Sequence, residues 1–549
     1  MLFNSIEFPL FLILVYIAYR ILPFRGQNTI LLIASYVFYG WWDEKFLFLI
    51  ILSTTIDYWC GLIIDKGSLS FKDRCFSSVY LFLASLIFIT FRWENIVDES
   101  FLRNLFSLRW SNIIPSSLSG WLVCFITLGF IISANLFYFV LKTVSQNRKR
   151  KIFLFVSICA NLGILGIFKY FNFFVDSADS IFQTLGIEIY FPSLNIVLPV
   201  GISFYTFQTM SYTIDIYRGQ LKSTDRFLDF ALFVSFFPQL VAGPIERASE
   251  LLPRILKPRE LSWQQSTRGL YLILFGLFKK IAVADSIAKS VNSIYETTGQ
   301  VSWLDIVIAT FLFAIQIYCD FSGYSDIARG TSKLFGIELM HNFNTPYFSK
   351  NPSEFWRRWH ISLSTWLRDY LYIPLGGNRR GNVYANLMTT MVLGGLWHGA
   401  GWNFILWGFY QGFLLCAYRF LQPVFSSFNL LSKSWSSINS LLTTFIFFVF
   451  TCYGWLLFRA SSLQQITSFT HILLTDVTNL SISISKPTLA GLLGLPLLII
   501  YEFMEYNNNS PHFYVKLSSV FRGSLYAVLI IIMIMGMSNE PEQFIYFQF

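Results

Sequence analysis

The sequence is poor in charge. Asp, Glu, Lys and Arg make up 13% of its 549 residues, against 54% hydrophobic and 19% aromatic residues. Soluble proteins carry about 25% charged residues, so this scarcity excludes an ordinary soluble protein. Sixty Phe and sixteen Trp suit lipid-facing surfaces and the aromatic belts of membrane proteins. The composition therefore predicts a polytopic membrane protein with no room for a sizeable soluble domain.

Metal ligands, redox pairs and phosphate loops are also missing. The seven cysteines are scattered, and no two have the spacing of a metal or redox site, so we expect them to be small core residues. No three-ligand metal cluster and no glycine-rich phosphate loop occurs, and we expect no bound metal or cofactor. The net charge of +9 comes from loops between apolar runs, which argues against a nucleic-acid partner. The first apolar run lacks a positive leader and is expected to remain as a membrane helix.

Apolar runs predict an all-α bundle of about 11 to 14 helices, some of them bent or too short to cross a bilayer. The runs cover about 8–22, 30–42, 46–64, 76–91, 121–141, 152–171, 196–217, 269–288, 304–321, 383–397, 402–418, 441–458, 487–503 and 525–537. A further run, 227–243, has basic residues on both flanks. We expect it to be re-entrant or to lie on the surface, with Pro238 and Gly243-Pro244 reversing the chain.

Lys and Arg cluster in alternate loops, which the positive-inside rule assigns to the cytoplasm. Segment 172–195 is a loop without Lys or Arg and is expected outside. Both termini are then expected outside, and segment 329–380 in the cytoplasm. Because no internal repeat is visible, residues 1–549 are expected to form one membrane domain, with its core at 195–420 and C-terminal helices and a tail at 441–549.

His360 lies in a segment that combines tryptophans with arginines. Asn351 can act as an N-cap, with Pro352 at the first helical position and Glu354 three residues after the cap. The spacing predicts one continuous helix on the membrane surface, stopped at Pro374, with tryptophans on one side and arginines on the other. The basic residues are expected either to bind the phosphates of a nucleotide-type donor or only to anchor lipid headgroups. They are Arg357, Arg358, Arg368, Arg379 and Arg380.

His398 lies in the middle of segment 381–418, which contains no Asp, Glu, Lys or Arg. Ionisable groups at membrane depth are costly and are usually functional. An imidazole can stay neutral there and has an unperturbed pKa of about 6.5, which makes it a ready proton acceptor. We expect His398 to be a catalytic base in a buried site, with a hydrogen-bonded structural histidine as the alternative. Other buried charges, such as Lys169, are expected to pair internally or with backbone carbonyls.

Five ordered blocks resemble the membrane-bound O-acyltransferase superfamily. They are Pro199–Gly219, Phe236–Arg247, Tyr318–Gly330, Phe355–Arg379 and Gly394–Gly408. Within the superfamily, the chain is most similar to the bacterial alginate O-acetyltransferase branch, which includes polysaccharide and peptidoglycan O-acetylation proteins. The resemblance implies a many-helix fold pierced by a tunnel. An acyl thioester enters that tunnel from the cytoplasm, and the acyl group leaves on the other side.

The resemblance also assigns residues. It implies that His398 is the key histidine and that His360 has a supporting or purely structural role. Trp356 joins Arg357, Arg358, Arg368 and Arg379 in donor binding. The implied tunnel residues are Asp320, Asp326, Trp397 and Asn403, with structural roles left open for the two aspartates. The implied donor is acetyl-CoA or another acyl thioester, and the acceptor is a hydroxyl of an extracytoplasmic polysaccharide or a relay partner outside the bacterial inner membrane.

The last six residues, Phe544–Phe549, form an aromatic tail expected on the outer side. They resemble the C-terminal motif of these O-acetylation proteins and of a small partner in teichoic-acid D-alanylation. Tyr546 is expected either to relay the acyl group to an extracytoplasmic transferase or only to anchor the tail. Two other functions stay open: D-alanyl transfer from a carrier protein to teichoic acid, and proton-coupled transport. The paired halves common in transporters are not visible.

Overall fold

Helices form most of the chain, and no β-strand occurs in the part described by this computed structural model. The described residues are 1–90, 118–187, 192–194, 196–241, 243–428, 436–508, 510, 513–537 and 544–545. Within these ranges, nine helices are long and apolar enough to cross a membrane. The predicted all-α polytopic membrane fold is confirmed.

The first part of the bundle consists of helices α1 to α11. They are α1 (Glu7–Ile21), α2 (Phe24–Gly40), α3 (Lys45–Lys66), α4 (Phe71–Ala84), α5 (Leu118–Leu141), α6 (Gln146–Leu165), α7 (Phe171–Thr184), α8 (Ile202–Tyr217), α9 (Phe227–Ser235), α10 (Phe237–Leu240) and α11 (Ala248–Leu256). A π-helical turn, Ser85–Thr90, extends α4, and another, Gly166–Tyr170, joins α6 to α7. Much of segment 172–195, expected to be a loop, is therefore helical.

The second part carries the histidine-containing segment. Its helices are α12 (Trp263–Leu277), α13 (Ser286–Tyr295), α14 (Trp303–Leu334), α15 (Pro352–Arg358), α16 (Ile361–Leu367), α17 (Val383–His398), α18 (Trp402–Phe428), α19 (Ser436–Arg459), α20 (Leu463–Thr475), α21 (Leu489–Asn508) and α22 (Ser519–Gly536). The π-helical turn Phe278–Asp285 joins α12 to α13, and Arg368–Tyr372 extends α16. Single-turn 3₁₀ segments lie at Pro346–Phe348 and Phe513–Lys516.

Helices α12 and α14 approach closely because glycines face each other along both. A Cβ atom added at Gly269 would lie 2.7 Å from the carbonyl oxygen of Gly330, and one added at Gly276 would lie 2.5 Å from that of Gly323. Small residues at such positions let helix backbones pack within van der Waals contact, a common device in membranes. This contact fixes α14, which lies beside the His360 segment.

The apolar run after Arg226 forms two short helices, α9 and α10, joined at Phe236. With nine and four residues they are too short to cross a membrane. Residues 229–241 are buried within the protein throughout. The break at Phe236 and the proline that follows allow the chain to fold back inside the protein.

The predicted continuous surface helix around His360 is wrong. Its N-terminus is as expected, because the Asn351 side chain accepts a hydrogen bond from the Glu354 backbone N–H. The helix ends at Arg358, however, because Trp359 is extended and His360 has φ +42°, in the left-handed region. The turn directs Trp359 and His360 into the protein core, where both are fully buried.

Candidate active site

The fold brings the two histidines of the predicted site together. The ring centroids of His360 and His398 lie 6.3 Å apart, and the two residues are 0% and 4% exposed. His398 is the last residue of α17, while His360 occupies the break between α15 and α16. Two separate features of the backbone, a helix end and a strained turn, therefore place the imidazoles side by side.

Aromatic rings surround His398. The rings of Trp397 and Trp407 each lie 5.0 Å from its imidazole, and Phe458 lies 5.5 Å away, all at steep angles. Trp407 comes from α18 and Phe458 from α19. The indole N–H of Trp407 is buried and has no hydrogen-bond partner among the described residues. A buried donor without a partner is rare and costs about 1–3 kcal/mol.

The π-helical turn between α6 and α7 holds the end of α17. The Lys169 ammonium donates hydrogen bonds to the carbonyl oxygens of Trp397, at 2.8 Å, and His398, at 3.0 Å. The Tyr170 hydroxyl donates to the Leu396 carbonyl at 2.9 Å. The last carbonyls of a helix lack intrahelical partners and carry partial negative charge, so a cation there is favourable. Lys169 thus pairs with backbone carbonyls, as expected of a buried charge, and fixes the position of His398.

Asn342 sets the tautomer of His360. The Asn342 Oδ1 atom accepts hydrogen bonds from the Ser362 backbone N–H, at 3.1 Å, and from the Ser362 hydroxyl, at 2.9 Å. His360 Nδ1 lies 3.2 Å from the same oxygen. Because that oxygen only accepts, a hydrogen bond between these two atoms requires the proton on Nδ1 and leaves Nε2 with the lone pair. The Ser362 hydroxyl lies 3.3 Å from the same nitrogen. No motif in the sequence points to Asn342, which lies outside the tryptophan-rich segment.

Burial also controls the charge of His360. Loss of hydration lowers the pKa of this imidazole to about 3, because the charged form loses its solvation in the core. The ring is therefore neutral across the physiological range. Its Nε2 atom has no hydrogen-bond partner among the described residues, so the buried lone pair can accept a proton or a hydrogen bond from a bound group.

Two cavities reach His398 from different sides. One of about 300 Å³ extends from Trp356, Arg357 and Arg368 on α15 and α16 to His398 and Trp407. The other, of about 40 Å³, lies between Lys169, segment 198–204, Trp397 and His398. The larger cavity is within the size range of small-molecule sites, and the smaller has room for about one water molecule. His398 stands where the two approach each other.

Comparison with known proteins identifies the family. A sequence model of MBOAT, the membrane-bound O-acyltransferase family, matches residues 217–463. The "Probable alginate O-acetylase AlgI" of Azotobacter vinelandii is 37% identical over 462 residues, which cover 83% of this chain and 73% of that protein. The "Peptidoglycan O-acetyltransferase" of Helicobacter pylori is 36% identical over 359 residues, 60% of this chain and 66% of that protein. This chain belongs to the membrane-bound O-acyltransferase family.

A more distant relative has a different acyl group in its name. The "Teichoic acid D-alanyltransferase" of Bacillus subtilis is 28% identical over 283 residues, 49% of this chain and 70% of that protein. The resemblance inferred from the five sequence blocks is confirmed, and the chain is a multi-pass membrane O-acyltransferase. Nothing in these comparisons supports the alternative of a proton-coupled transporter.

Only some of the residues predicted to bind the donor line the larger cavity. Trp356, Arg357 and Arg368 line it. Arg358 does not line it and forms an ion pair with Glu354 at 3.0 Å. Arg368 also has a carboxylate partner, Asp369, at 2.7 Å. Arg379 is exposed in the loop after the Arg368–Tyr372 turn and lines neither cavity at His398.

The residues predicted to line the tunnel also lie in different places. Trp397 lines the smaller cavity. Asn403 donates hydrogen bonds to the carbonyl oxygens of Phe458 and Ala460, which tie α18 to the end of α19. Asp320 and Asp326 line neither cavity at His398.

Both aspartates lie on α14 in buried ion pairs. Asp320 pairs with Lys280 and Asp326 with Lys279, each at 2.8 Å. Among the described residues, no group of three or more His, Cys, Asp or Glu side chains is placed to hold a metal ion.

Two residues of the C-terminal tail, Phe544 and Ile545, lie in the core of the acyltransferase. Phe544 and Ile545 are 1% and 4% exposed. The Ile545 backbone N–H donates to Asp320 Oδ2 at 2.7 Å, and the Phe544 ring lies 4.7 Å from that of Tyr324 and 6.0 Å from that of Phe321. The Phe321 ring in turn lies 4.6 Å from the His360 imidazole. These two tail residues are therefore buried within the protein, and the outer-side location of the tail stays a prediction. Tyr546 lies outside the described residues.

Proposed function

We propose that this enzyme transfers an acetyl group from a cytoplasmic thioester, such as acetyl-CoA, to a hydroxyl on the outer side of the bacterial inner membrane. The observation that carries the proposal is the position of His398 between two cavities, one of which begins at basic residues. The anionic donor would approach along Arg357 and Arg368, whose guanidinium groups suit phosphates. The names of the relatives, which include two O-acetylation enzymes, support acetyl as the acyl group.

The chemistry requires a base beside the thioester carbonyl. His398 takes the proton of the attacking hydroxyl while its oxygen bonds to the carbonyl carbon. The tetrahedral intermediate then collapses, the carbon–sulfur bond breaks, and the leaving thiolate takes the proton from the imidazolium. General-base catalysis of this kind contributes about 10²- to 10⁴-fold in rate, with the remainder from positioning and electrostatic stabilisation.

Trp407 is suited to stabilise the oxyanion of that intermediate. Its indole nitrogen is a donor only, it is buried without a partner among the described residues, and its ring packs beside His398 in the larger cavity. A preorganised donor that meets charge only in the transition state needs no reorganisation when the reaction occurs. His360, neutral and held by Asn342, has a supporting role as an acceptor for a bound group.

Replacement of His398 tests the proposal. His398→Gln should lower acetyl transfer by about 10²- to 10⁴-fold, measured as alkali-labile acetyl esters on the surface polysaccharide of expressing cells and as thioester cleavage by protein in liposomes. His471→Gln is the matched control, because His471 is exposed on α20. Full activity of His398→Gln would contradict the proposal. Activity only with a D-alanyl carrier-protein thioester would overturn acetyl-CoA as donor while leaving acyl transfer in place.

A relay through the tail is a second route in this proposal, as an alternative to direct transfer to an outer hydroxyl. Tyr546 would accept the acyl group as an ester and pass it to an extracytoplasmic transferase. The docking of Phe544 and Ile545 beside Asp320, in ring contact with the neighbours of His360, supports a tail that takes part in the reaction. A purely anchoring role for the aromatic tail is the alternative.

Mass spectrometry separates the relay from the anchor. Active wild-type protein incubated with acetyl-CoA should carry an acetyl group on the C-terminal peptide, and Tyr546→Phe should not. Tyr526→Phe, on α22, is the matched control. If active wild-type protein carries no acetyl group on Tyr546, the relay is excluded, and the transfer at His398 stands or falls by its own test.

A further inference from the structure

Two large cavities adjoin at the start of α20. One has a volume of about 620 Å³ and lies between α7, the start of α18 and the start of α20. The other has a volume of about 930 Å³ and lies between segment 297–302, α20 and segment 476–483. Ser462 lines both. Together the cavities form one groove, here called the polar groove.

The polar groove begins next to the candidate active site. Gly401, Trp402 and Asn403 line its first part and follow His398 by a few residues in the chain. Segment 172–195 and segment 399–402, which border this part, contain no Lys or Arg, and the positive-inside rule places such segments outside. The groove is therefore on the side where the proposed acceptor would arrive.

Its lining suits a sugar chain. Trp402 is 52% exposed, and its ring lies 5.7 Å from that of Phe173, which gives an open aromatic surface for the apolar face of a sugar ring. Hydroxyl and carboxamide groups surround this surface and can exchange hydrogen bonds with sugar hydroxyls. They include Ser177, Ser180, Thr184, Ser461, Gln464 and Asn479.

The charges of the groove select against acidic polymers. Its charged lining residues are Asp176, Asp305 and Asp476, and no Lys or Arg lines either cavity in the described part of the chain. Asp305 is occupied by the backbone N–H groups of Ser483 and Ile484. A polymer of uronic acids or phosphodiesters would meet only like charge here, and like charges placed together exclude wrong partners.

We infer that the polar groove binds the acceptor and that this acceptor is a polysaccharide without anionic groups. The inference rests on the proposed function, because it takes the groove as the path by which a hydroxyl reaches His398. It narrows the acceptor to neutral sugar chains, in contrast to the alginate in the name of the Azotobacter vinelandii relative.

Binding of oligosaccharides of equal length tests the inference. The full-length protein in lipid nanodiscs is titrated calorimetrically with a neutral glucan hexamer and with a mannuronate hexamer. The glucan should bind, and the mannuronate should bind at least about tenfold more weakly at low salt. Trp402→Ala should weaken glucan binding about tenfold. Trp263→Ala, which changes an exposed tryptophan distant from the groove in sequence, should leave it unchanged.

A charge reversal supplies the opposite test. The double variant Asp176→Lys, Asp476→Lys should bind the mannuronate hexamer about tenfold more tightly than wild type, and salt should remove the gain. Equal or tighter binding of mannuronate by wild type would overturn the inference. So would failure of both hexamers to bind, which would instead assign the groove to a protein partner. His398→Gln should still bind glucan, so the failure of catalysis and the failure of the groove are distinguishable.

Discussion

At the scale of single residues, the candidate site contains buried polar atoms that have no hydrogen-bond partner among the described residues. His360 has one nitrogen fixed by Asn342 and the other open. Trp407 holds an indole N–H that is buried without a partner among the described residues. Such groups reduce stability in the resting protein, and a bound thioester offers the partners that they lack.

Trp407→Phe tests the proposed oxyanion donor. The substitution keeps an aromatic ring beside His398 and removes only the N–H, so the fold should be retained while kcat falls about 10²- to 10³-fold. KM for the thioester should change little, because the hydrogen bond forms in the transition state. Trp366→Phe is the control, since the Trp366 indole donates to the Phe207 carbonyl instead. An equal effect of both substitutions on kcat would contradict the assignment.

The low pKa of His360 predicts how stability depends on pH. The unfolded chain binds this proton near pH 6.5 and the folded protein only near 3. The neutral ring therefore contributes its full stability above about pH 6.5 and loses it as the pH falls towards 3, by about 1.4 kcal/mol per pH unit.

Unfolding of the detergent-solubilised protein between pH 7 and pH 4 measures this dependence. His360→Asn lacks the titrating group, so its unfolding free energy should fall less steeply with acid than that of wild type. If the unfolding free energies of the two proteins fall in parallel with pH, His360 binds its proton in the folded protein as readily as in the unfolded chain, and the lowered pKa is contradicted.

At the scale of elements, short helices and π-helical turns aim the site. Helix α17 is only 16 residues long, and its last carbonyls are held by Lys169 and Tyr170 from the turn between α6 and α7. π-Helical turns are rare and often lie at functional sites. Here the turn supplies two adjacent donors, Lys169 and Tyr170, to the end of another helix.

The crossing of α17 and α18 predicts a glycine requirement. A Cβ atom at Gly395 would overlap the Phe404 carbonyl oxygen and would lie 3.0 Å from the Gly408 Cα atom. Gly395→Ala should therefore push the two helices apart and lower the free energy of unfolding by about 1–3 kcal/mol. It should also lower activity, because His398 is displaced. Gly163→Ala, in α6, is the control because no atom lies within 4 Å of its added Cβ. Wild-type stability of Gly395→Ala would contradict the close crossing.

At the scale of the whole molecule, charge is distributed unevenly between the two ends of the bundle. Arg357 and Arg368 line the 300 Å³ cavity that reaches His398. In the polar groove, the only charged residues in the described lining are aspartates. In the proposed function, the arginines attract the anionic donor and the polar groove receives the neutral acceptor.

This asymmetry predicts orientation in the cell membrane. In a variant whose native cysteines are serines, a cysteine replacing Ser461 should react with a membrane-impermeant thiol reagent in intact cells. A cysteine replacing Arg379 should react only after the cells are opened. Both positions are exposed, so accessibility reports the side of the membrane. The reverse labelling pattern would exclude entry of the donor from the cytoplasm.

The sequence by itself determined the class of the molecule and the two histidines. Long apolar runs must satisfy their backbone polar groups within helices, so hydropathy alone predicted the all-α membrane fold. His398 was predicted to be functional because it lies in a stretch without Asp, Glu, Lys or Arg. These inferences need only local composition, because the bilayer imposes the same demand on every segment that crosses it.

Tertiary structure alone decided how the site is built. Helical spacing predicted one helix through His360, but the Ile361 N–H donates to the carbonyl of Asn342, in a separate segment of the chain. The burial of Trp359 in the core favours this break over the local preference for a helix. Lys169 reaches the end of the His398 helix from a distant part of the chain, and Asn342 reaches His360 from a separate segment. Such contacts depend on which surfaces fit together in three dimensions, and no local pattern of residues encodes that fit.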